Sequence, residues 1–184
     1  MRSLAEPVAE ALGADAELPT IEVEAELRAP GVTAQLVHFI IPHPTNTIVS
    51  QGASFLINMC LTPRPPHARA GYLRRWGPHR FERLGDIFLV PPGEGVTIKG
   101  GSGKQASLLC NIRPEAISAV LGHDLAWTSQ QLAATIDLTS ARVRALLFRM
   151  AEEVRHPGLA AGRMLELLGG ELAIELARLC LEVN

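Results

Sequence analysis

Gly85-Asp86-Ile87-Phe88-Leu89-Val90-Pro91-Pro92-Gly93 holds a turn, a strand and a stop in one short run. Gly-Asp opens it as a polar turn, four apolar residues follow, and Pro-Pro-Gly closes it. Proline lacks the amide donor that a sheet ladder needs, so the apolar part reads as one short strand between two turns. The same grammar recurs on both sides. Upstream, residues 32–41 (Val-Thr-Ala-Gln-Leu-Val-His-Phe-Ile-Ile) form a strand-like run ended by Pro42 and Pro44, and further runs lie at 53–61 and 68–75. Downstream, 95–99 and 105–112 repeat the pattern around Gly100-Gly101-Ser102-Gly103. That glycine-rich link is a hairpin connection, because it lacks the Lys-Ser/Thr and the following helix of a phosphate loop. Short strands at this spacing predict an antiparallel sandwich or barrel over 31–113.

Residues 1–30, rich in Ala, Glu and Pro, read as an arm that is partly disordered or weakly ordered. From Pro114 the apolar period becomes helical, so 114–184 reads as a helical dimerisation segment packed on the barrel. Pro114 suits a first helical position and Gly122 the residue just past the end, which predicts a helix over 114–121. Ser140 suits the cap of a second helix, whose Val143, Leu146, Leu147, Met150, Ala151 and Val154 share one face until Pro157-Gly158. A third helix is predicted from about Leu159 to Leu181. Leu165, Leu168, Leu172, Leu176 and Leu179 make one stripe on it, and Leu167, Ile174 and Leu181 a second, nearly opposite. A helix apolar on two sides is either enclosed in a core or shared with another chain. Leaving the second row wet costs ~25 cal/mol per Å². Leu167, Ile174 and Leu181 are therefore the candidate dimer contacts. Gly169-Gly170 marks either a break or a close approach of two backbones.

The 184 residues are 47% hydrophobic and 20% charged, the usage of an ordinary globular chain. A net charge of -2 with scattered basic residues argues against a surface that grips phosphates, so direct nucleic-acid contact is not expected. No apolar run approaches a membrane span, and Met1-Arg2-Ser3-Leu4-Ala5-Glu6-Pro7 begins no secretion signal. Cys60, Cys110 and Cys180 lie far apart without CxxC spacing, which suits a reducing compartment, and a cytoplasmic location is expected.

In its turn–strand–turn frame, 85–93 resembles the second conserved motif of cupin barrels, where Gly, five residues, Pro, one residue and Gly lead to a metal-binding His. Val96 stands at the position of that His. Arg74-Arg75-Trp76 precedes the motif; Leu138, Leu146-Leu147, Met150-Ala151-Glu152-Glu153-Val154-Arg155 and His156-Pro157-Gly158 follow it. Together these resemble, over about 32–183, the N-terminal effector-binding and dimerisation half of AraC-type transcription regulators. The resemblance implies an α+β, mainly β fold: a degenerate cupin, or jelly-roll-like antiparallel barrel, followed by a C-terminal helical hairpin. It also implies a small-molecule effector, a homodimer, and DNA engaged only through a C-terminal helix-turn-helix domain that this sequence does not contain. No cofactor and no membrane partner is expected.

A catalytic cupin carries an early His-x-His, a Glu shortly after, and a final His beyond the Pro-x-Gly turn. The histidines here (His38, His43, His67, His79, His123 and His156) include no such pair. A metal-dependent cupin enzyme with non-standard ligands is the alternative reading; no metal ligand or catalytic residue is nominated. Cys60 and Cys110 lie in apolar runs as inert buried thiols, and Ser54 and Ser107 lack a Gly-x-Ser-x-Gly elbow. What remains is a pocket, mostly apolar with a few orienting groups. His38, Asn58 and Asn111 are polar among apolar strand neighbours, and Phe88, Tyr72 and Trp76 supply rings in a chain with one Tyr and two Trp. By strand alternation Ser54, Leu56, Asn58 and Cys60 share one face, and Asn111 shares a face with Ser107 and Leu109.

Overall fold

The computed structural model describes residues 19–50, 52–122 and 126–182. Strands β1 (Thr20–Ala29), β2 (Val32–Ile41), β4 (Phe55–Cys60), β7 (Ile87–Val90) and β9 (Gly103–Ile112) build a five-stranded antiparallel sheet in the order β1-β2-β9-β4-β7. Strands β3 (Thr45–Ser50), β5 (Arg69–Gly71), β6 (Glu82–Arg83) and β8 (Gly95–Gly100) form a second sheet in the order β3-β8-β5-β6. The two sheets hydrogen-bond separately, so the expected barrel is corrected to a sandwich that does not close. The short helix α1 (Leu73–Trp76) follows β5. The C-terminal part holds α2 (Pro114–Leu121), α3 (Ser129–Ile136), α4 (Ala141–Arg155) and α5 (Ala161–Glu182), a helical layer broader than the expected hairpin.

Several elements stand where local signals put them. Pro114 begins α2, and Gly122 ends it in the left-handed region at φ 76°. The Ser140 hydroxyl accepts a 3.3 Å hydrogen bond from the Val143 amide at the start of α4. Other expectations are corrected. Residues 20–29, assigned to a weakly ordered arm, form β1, which pairs antiparallel with β2 along its length through a turn at Gly31 (φ 79°). Thr20-Ile-Glu-Val-Glu-Ala-Glu-Leu-Arg-Ala alternates with period two, and past a register shift at Val23/Ala25 its Ala25, Leu27 and Ala29 reach the core. The rest of that arm lies outside the described residues. The strand expected at 68–75 is only Arg69–Gly71, and α1 begins at Leu73; the Arg80 carbonyl lies 2.4 Å from where a Cβ on Gly71 would sit, so only glycine fits there.

Alternation along the large sheet sorts its side chains into two cores. Val32, Ala34, Leu36, Phe55, Ile57, Met59, Ile87, Leu89, Leu108, Cys110 and Ile112 face the helical layer, where Leu146, Met150, Leu165, Leu168, Leu172 and Leu176 meet them. Each such aliphatic contributes about 1.5–3 kcal/mol on burial. The other face looks towards the small sheet, where Phe88 and Val90 join Ala70, Tyr72, Val96, Leu132 and Ile136. Val96, at the place of the cupin His, is thus an ordinary core residue. Helix α5 runs unbroken through Gly169-Gly170. A Cβ on Gly169 would lie 3.0 Å from the Val32 side chain, so the missing methyl lets α5 sit down on β2.

Candidate functional site

The inner face of the large sheet is built in rows set by register. One row runs Glu26, Gln35, Leu109, Asn58, Phe88 across β1, β2, β9, β4 and β7. The next on one side is Val37, Ser107, Cys60, and on the other Thr33, Asn111, Leu56, Val90. Asn58 is only 2% exposed, and Gln35, Gln105 and Ser107 are also buried. Buried polar groups demand partners. Gln105 Nε2 donates to Ser107 Oγ at 2.6 Å, and Gln35 donates to Glu26, which also accepts from Arg28. The bond from Arg28, aided by Gln35 and opposed by burial, holds the Glu26 carboxyl below the usual carboxylate range.

Arg64 enters this interior from the loop after β4, in Pro63-Arg64-Pro65-Pro66, where three prolines restrict the backbone. Its Nε donates to the Gly85 carbonyl at 3.1 Å, and its Nη2 reaches Asn58 Oδ1 at 3.4 Å and the Asp86 carbonyl at 3.5 Å. Its Cζ stands 5.3 Å from the Phe88 ring centroid. Burial pulls the guanidinium below its ordinary value, while Cys60, Asp86 and Asp137 act the other way. Burial likewise raises the Cys60 thiol, against the pull of Arg64 and a hydrogen bond with Ser107.

Of the residues singled out from sequence, Asn58, Phe88 and Asn111 come together on this inner face. His38 does not. It has the opposite parity on β2, is exposed, and shares a 2.9 Å hydrogen bond with Glu24 through Nε2. It lines an outer cleft of about 360 Å³ with Glu22, Thr62 and Lys104. Tyr72, expected near a ligand, is fully buried. Its hydroxyl is 3.1 Å from the Leu89 carbonyl and 2.8 Å from Thr135 Oγ1, pinning α3 to both sheets, and burial raises its pKa. Trp76 is half-buried, edge-on to Tyr72 at 5.3 Å and capped by the Arg80 guanidinium at 4.4 Å. Its Nε1 is buried without an acceptor among the described residues. The bond between Arg75 and Glu94 ties α1 to the turn after Pro91-Pro92-Gly93. Leu167 and Ile174 are exposed on α5, whereas the side chain of Leu181 lies outside the described residues.

Sequence reasoning missed Arg64, Gln35 and Gln105. Gln35 and Gln105 carry the same signal as Asn58, a polar residue inside an apolar strand run. Arg64 sits in a loop with no periodicity, and only its proline bracket sets it apart. A second cavity, of about 190 Å³, lies between α3, the start of α4 and the end of α5, over Leu89. Trp127, Leu138 and Leu176 make it mainly apolar, and the Cys180 thiol on its wall is pushed up to about 11 by burial.

No family model matches the chain, and no curated protein does. Among solved structures it is similar to the cupin domain of Schizosaccharomyces pombe Cnp3, at 14% identity and TM-score 0.39, over 57% of this chain and 69% of that one. It is also similar to a cupin superfamily protein of Desulfitobacterium hafniense, at 16% identity and TM-score 0.35, over 54% of this chain and 83% of that one. A third is the DMSP lyase DddQ of Ruegeria pomeroyi, at 17% identity and TM-score 0.37, over 55% of this chain and 51% of that one. Likeness at these scores bears on no ligand, reaction or partner of this chain.

Cupins commonly hold a divalent metal, and the interior donor set here does not suit one. It consists of amides, hydroxyls, a guanidinium, one thiol and the single carboxylate of Glu26, which Arg28 and Gln35 already engage, whereas such ions take several imidazole, carboxylate or thiolate ligands. Among the described residues no three His, Cys, Asp or Glu side chains converge, and no helix is long and apolar enough to cross a membrane.

Proposed function

We propose that the chain is a small-molecule-sensing and self-associating unit of the AraC-regulator type, with its effector inside the sandwich and no reaction performed on it. The observation that carries this reading is the outward row on α5. The inward leucines of that helix are already buried, yet Leu167 (57% exposed) and Ile174 (39% exposed) stand on the solvent side with Met164. Gly170 shares that side, and nothing lies within 4 Å of where its Cβ would sit, so another helix has room to approach the backbone. A second copy of α5 is the natural cover for such a row, because a two-fold interface matches a surface with itself. The polar rows at Asn58 and Asn111, with Phe88 beside them, support the ligand half of the reading. A ligand biases such a pair only by binding one arrangement better than another.

Sedimentation velocity of the purified chain tests this. The unmodified chain sediments as a dimer, and Leu167→Glu/Ile174→Glu as a folded monomer. A monomeric unmodified chain, or a double variant that remains dimeric, refutes the assignment.

A further inference from the structure

The cavity of about 190 Å³ between α3, the start of α4 and the end of α5 lies on the helix side of the large sheet, outside the sandwich. Its apolar wall is drawn from separate elements: Leu89 from β7, Ala134 from α3, Leu138 from the link before α4, and Leu176 and Leu179 from α5. Trp127 completes it, its indole held edge-on by Phe55 with ring centroids 6.1 Å apart. Three polar side chains in the lining are engaged within the protein. Gln131 donates from Nε2 to the Cys180 carbonyl at 3.3 Å and accepts from the Thr128 amide through Oε1 at 2.9 Å. Thr135 Oγ1 bonds the Tyr72 hydroxyl and the Leu132 carbonyl, each at 2.8 Å, and Ser140 Oγ accepts from the Val143 amide. The Cys180 thiol, which burial keeps protonated at neutral pH, adds no charge. Among the described lining residues there is no Lys, Arg or His, and the ionic group is the exposed Asp137.

We infer that this cavity is a binding site for one small uncharged aromatic molecule, a single ring with a short substituent, held between Trp127 and the α5 leucines over Leu89. The inference goes beyond the reading above, because the site is separate from the sandwich interior and does not depend on it. Size sets the first limit: an apolar cavity of about 150 Å³ admits benzene, so this one admits a ring and a little more. Charge sets the second. An anion would surrender its hydration with no cation to receive it, and would meet the Asp137 carboxylate. A cation would exchange its hydration for one exposed carboxylate whose field Arg64 already shares, a pairing that contributes little. An uncharged ring leaves no group unpaired, since Gln131, Thr135 and Ser140 keep their partners. The Trp127 indole favours an aromatic body over an aliphatic one, because paired rings gain more than their buried area alone. With Leu176 and Leu179 in the wall, an occupant ties the C-terminal half of α5 to α3 and β7.

The test is amide- and methyl-resolved NMR titration of the full chain with p-cresol, benzoate and benzylamine, which share a ring and differ in charge. p-Cresol shifts the Leu89, Ala134 and Leu176 signals with a Kd on the order of 0.1–1 mM, and the two charged probes bind at least about 10-fold more weakly. Ala134→Leu, which fills the cavity from a half-buried position on α3, weakens p-cresol by about 10-fold or more. If that variant fails to fold, intermolecular NOEs from p-cresol to the Trp127 indole and the Leu176 methyls of the unmodified chain decide the same question. No saturable shift with p-cresol overturns the inference, as does equal binding of benzoate or benzylamine, indifference to Ala134→Leu, or absence of those NOEs. Shifts confined to Asn58 and Phe88 would overturn this site while favouring the sandwich interior.

Discussion

Adjacent glycines on α5 meet opposite surroundings, and replacing each by alanine should move stability in opposite directions. Alanine in a helix interior is favoured over glycine by about 0.8–1.0 kcal/mol. At Gly170 a new methyl meets nothing within 4 Å, so Gly170→Ala should gain that amount and raise the melting temperature by roughly 2–4 °C for a chain of this size. At Gly169 the methyl would lie 3.0 Å from both Cβ and Cγ1 of Val32 and 3.2 Å from Cγ2. Carbon pairs rest at about 3.5–4.0 Å, so α5 must lift from β2 or Val32 must turn. Overpacking of this kind costs about 1–3 kcal/mol, which leaves Gly169→Ala between neutral and about 2 kcal/mol less stable. Urea unfolding followed by circular dichroism, in a dilution series, measures both variants. If Gly169→Ala stabilises as much as Gly170→Ala, α5 is not seated on β2 as described. The dilution series carries a second readout: a methyl at Gly170 weakens a dimer formed through the outward row while it stabilises each subunit.

Gly85 begins the turn before β7, and a Cβ there would fall 1.9 Å from Asp137 Oδ1 and 2.8 Å from its Cα, so Gly85→Ala should lose about 2–4 kcal/mol. Gly93, with φ 73° and open space around it, should lose only about 1–2 kcal/mol as alanine; equal losses in urea melts would contradict the docking of 136–138 against β7. The buried thiols make stability fall in alkali: burial pushes Cys110 up to about 12 and Cys180 up to about 11, against about 8.5 when unfolded. Because the folded state holds protons that the unfolded chain releases, stability is complete below about pH 8.5. It falls by up to about 1.4 kcal/mol per pH unit per thiol until the folded values are reached. Urea midpoints at about pH 8 and about pH 10 should show this slope, flattened in Cys110→Ala/Cys180→Ala; an unchanged slope would mean these thiols do not cause it.

Elements bounded by local chemistry are legible in the amino-acid sequence itself. Pro42 stops β2, Pro114 and Gly122 frame α2, and Ser140 starts α4, because each residue acts on its immediate backbone. β1 is hidden because its Ala- and Glu-rich composition suggests weak order, while its stability comes from pairing with β2. Helix α3 carries one cue, the reciprocal cap between Thr128 and Gln131, in a stretch whose apolar period is too short to stand out. For the site, period two places Asn58 and Asn111 on shared faces, but only the pairing of β2, β9, β4 and β7 fixes which face looks inward. That is why His38, one residue past Val37, falls outside. Arg64 is illegible because a loop residue reaches an interior only through tertiary structure.

The large sheet is a wall common to two cores. Asn58 faces the small sheet and Met59 the helices; Ser107 faces the small sheet and Leu108, beside it, the helices. One peptide unit joins each pair, so the wall cannot bow on one side without shifting what leans on it from the other. Packed as closely as Val32 is against Gly169, the helices have little slack to absorb that movement. A displacement on the inner face of the sheet therefore has only the thickness of one strand to cross before it reaches α5.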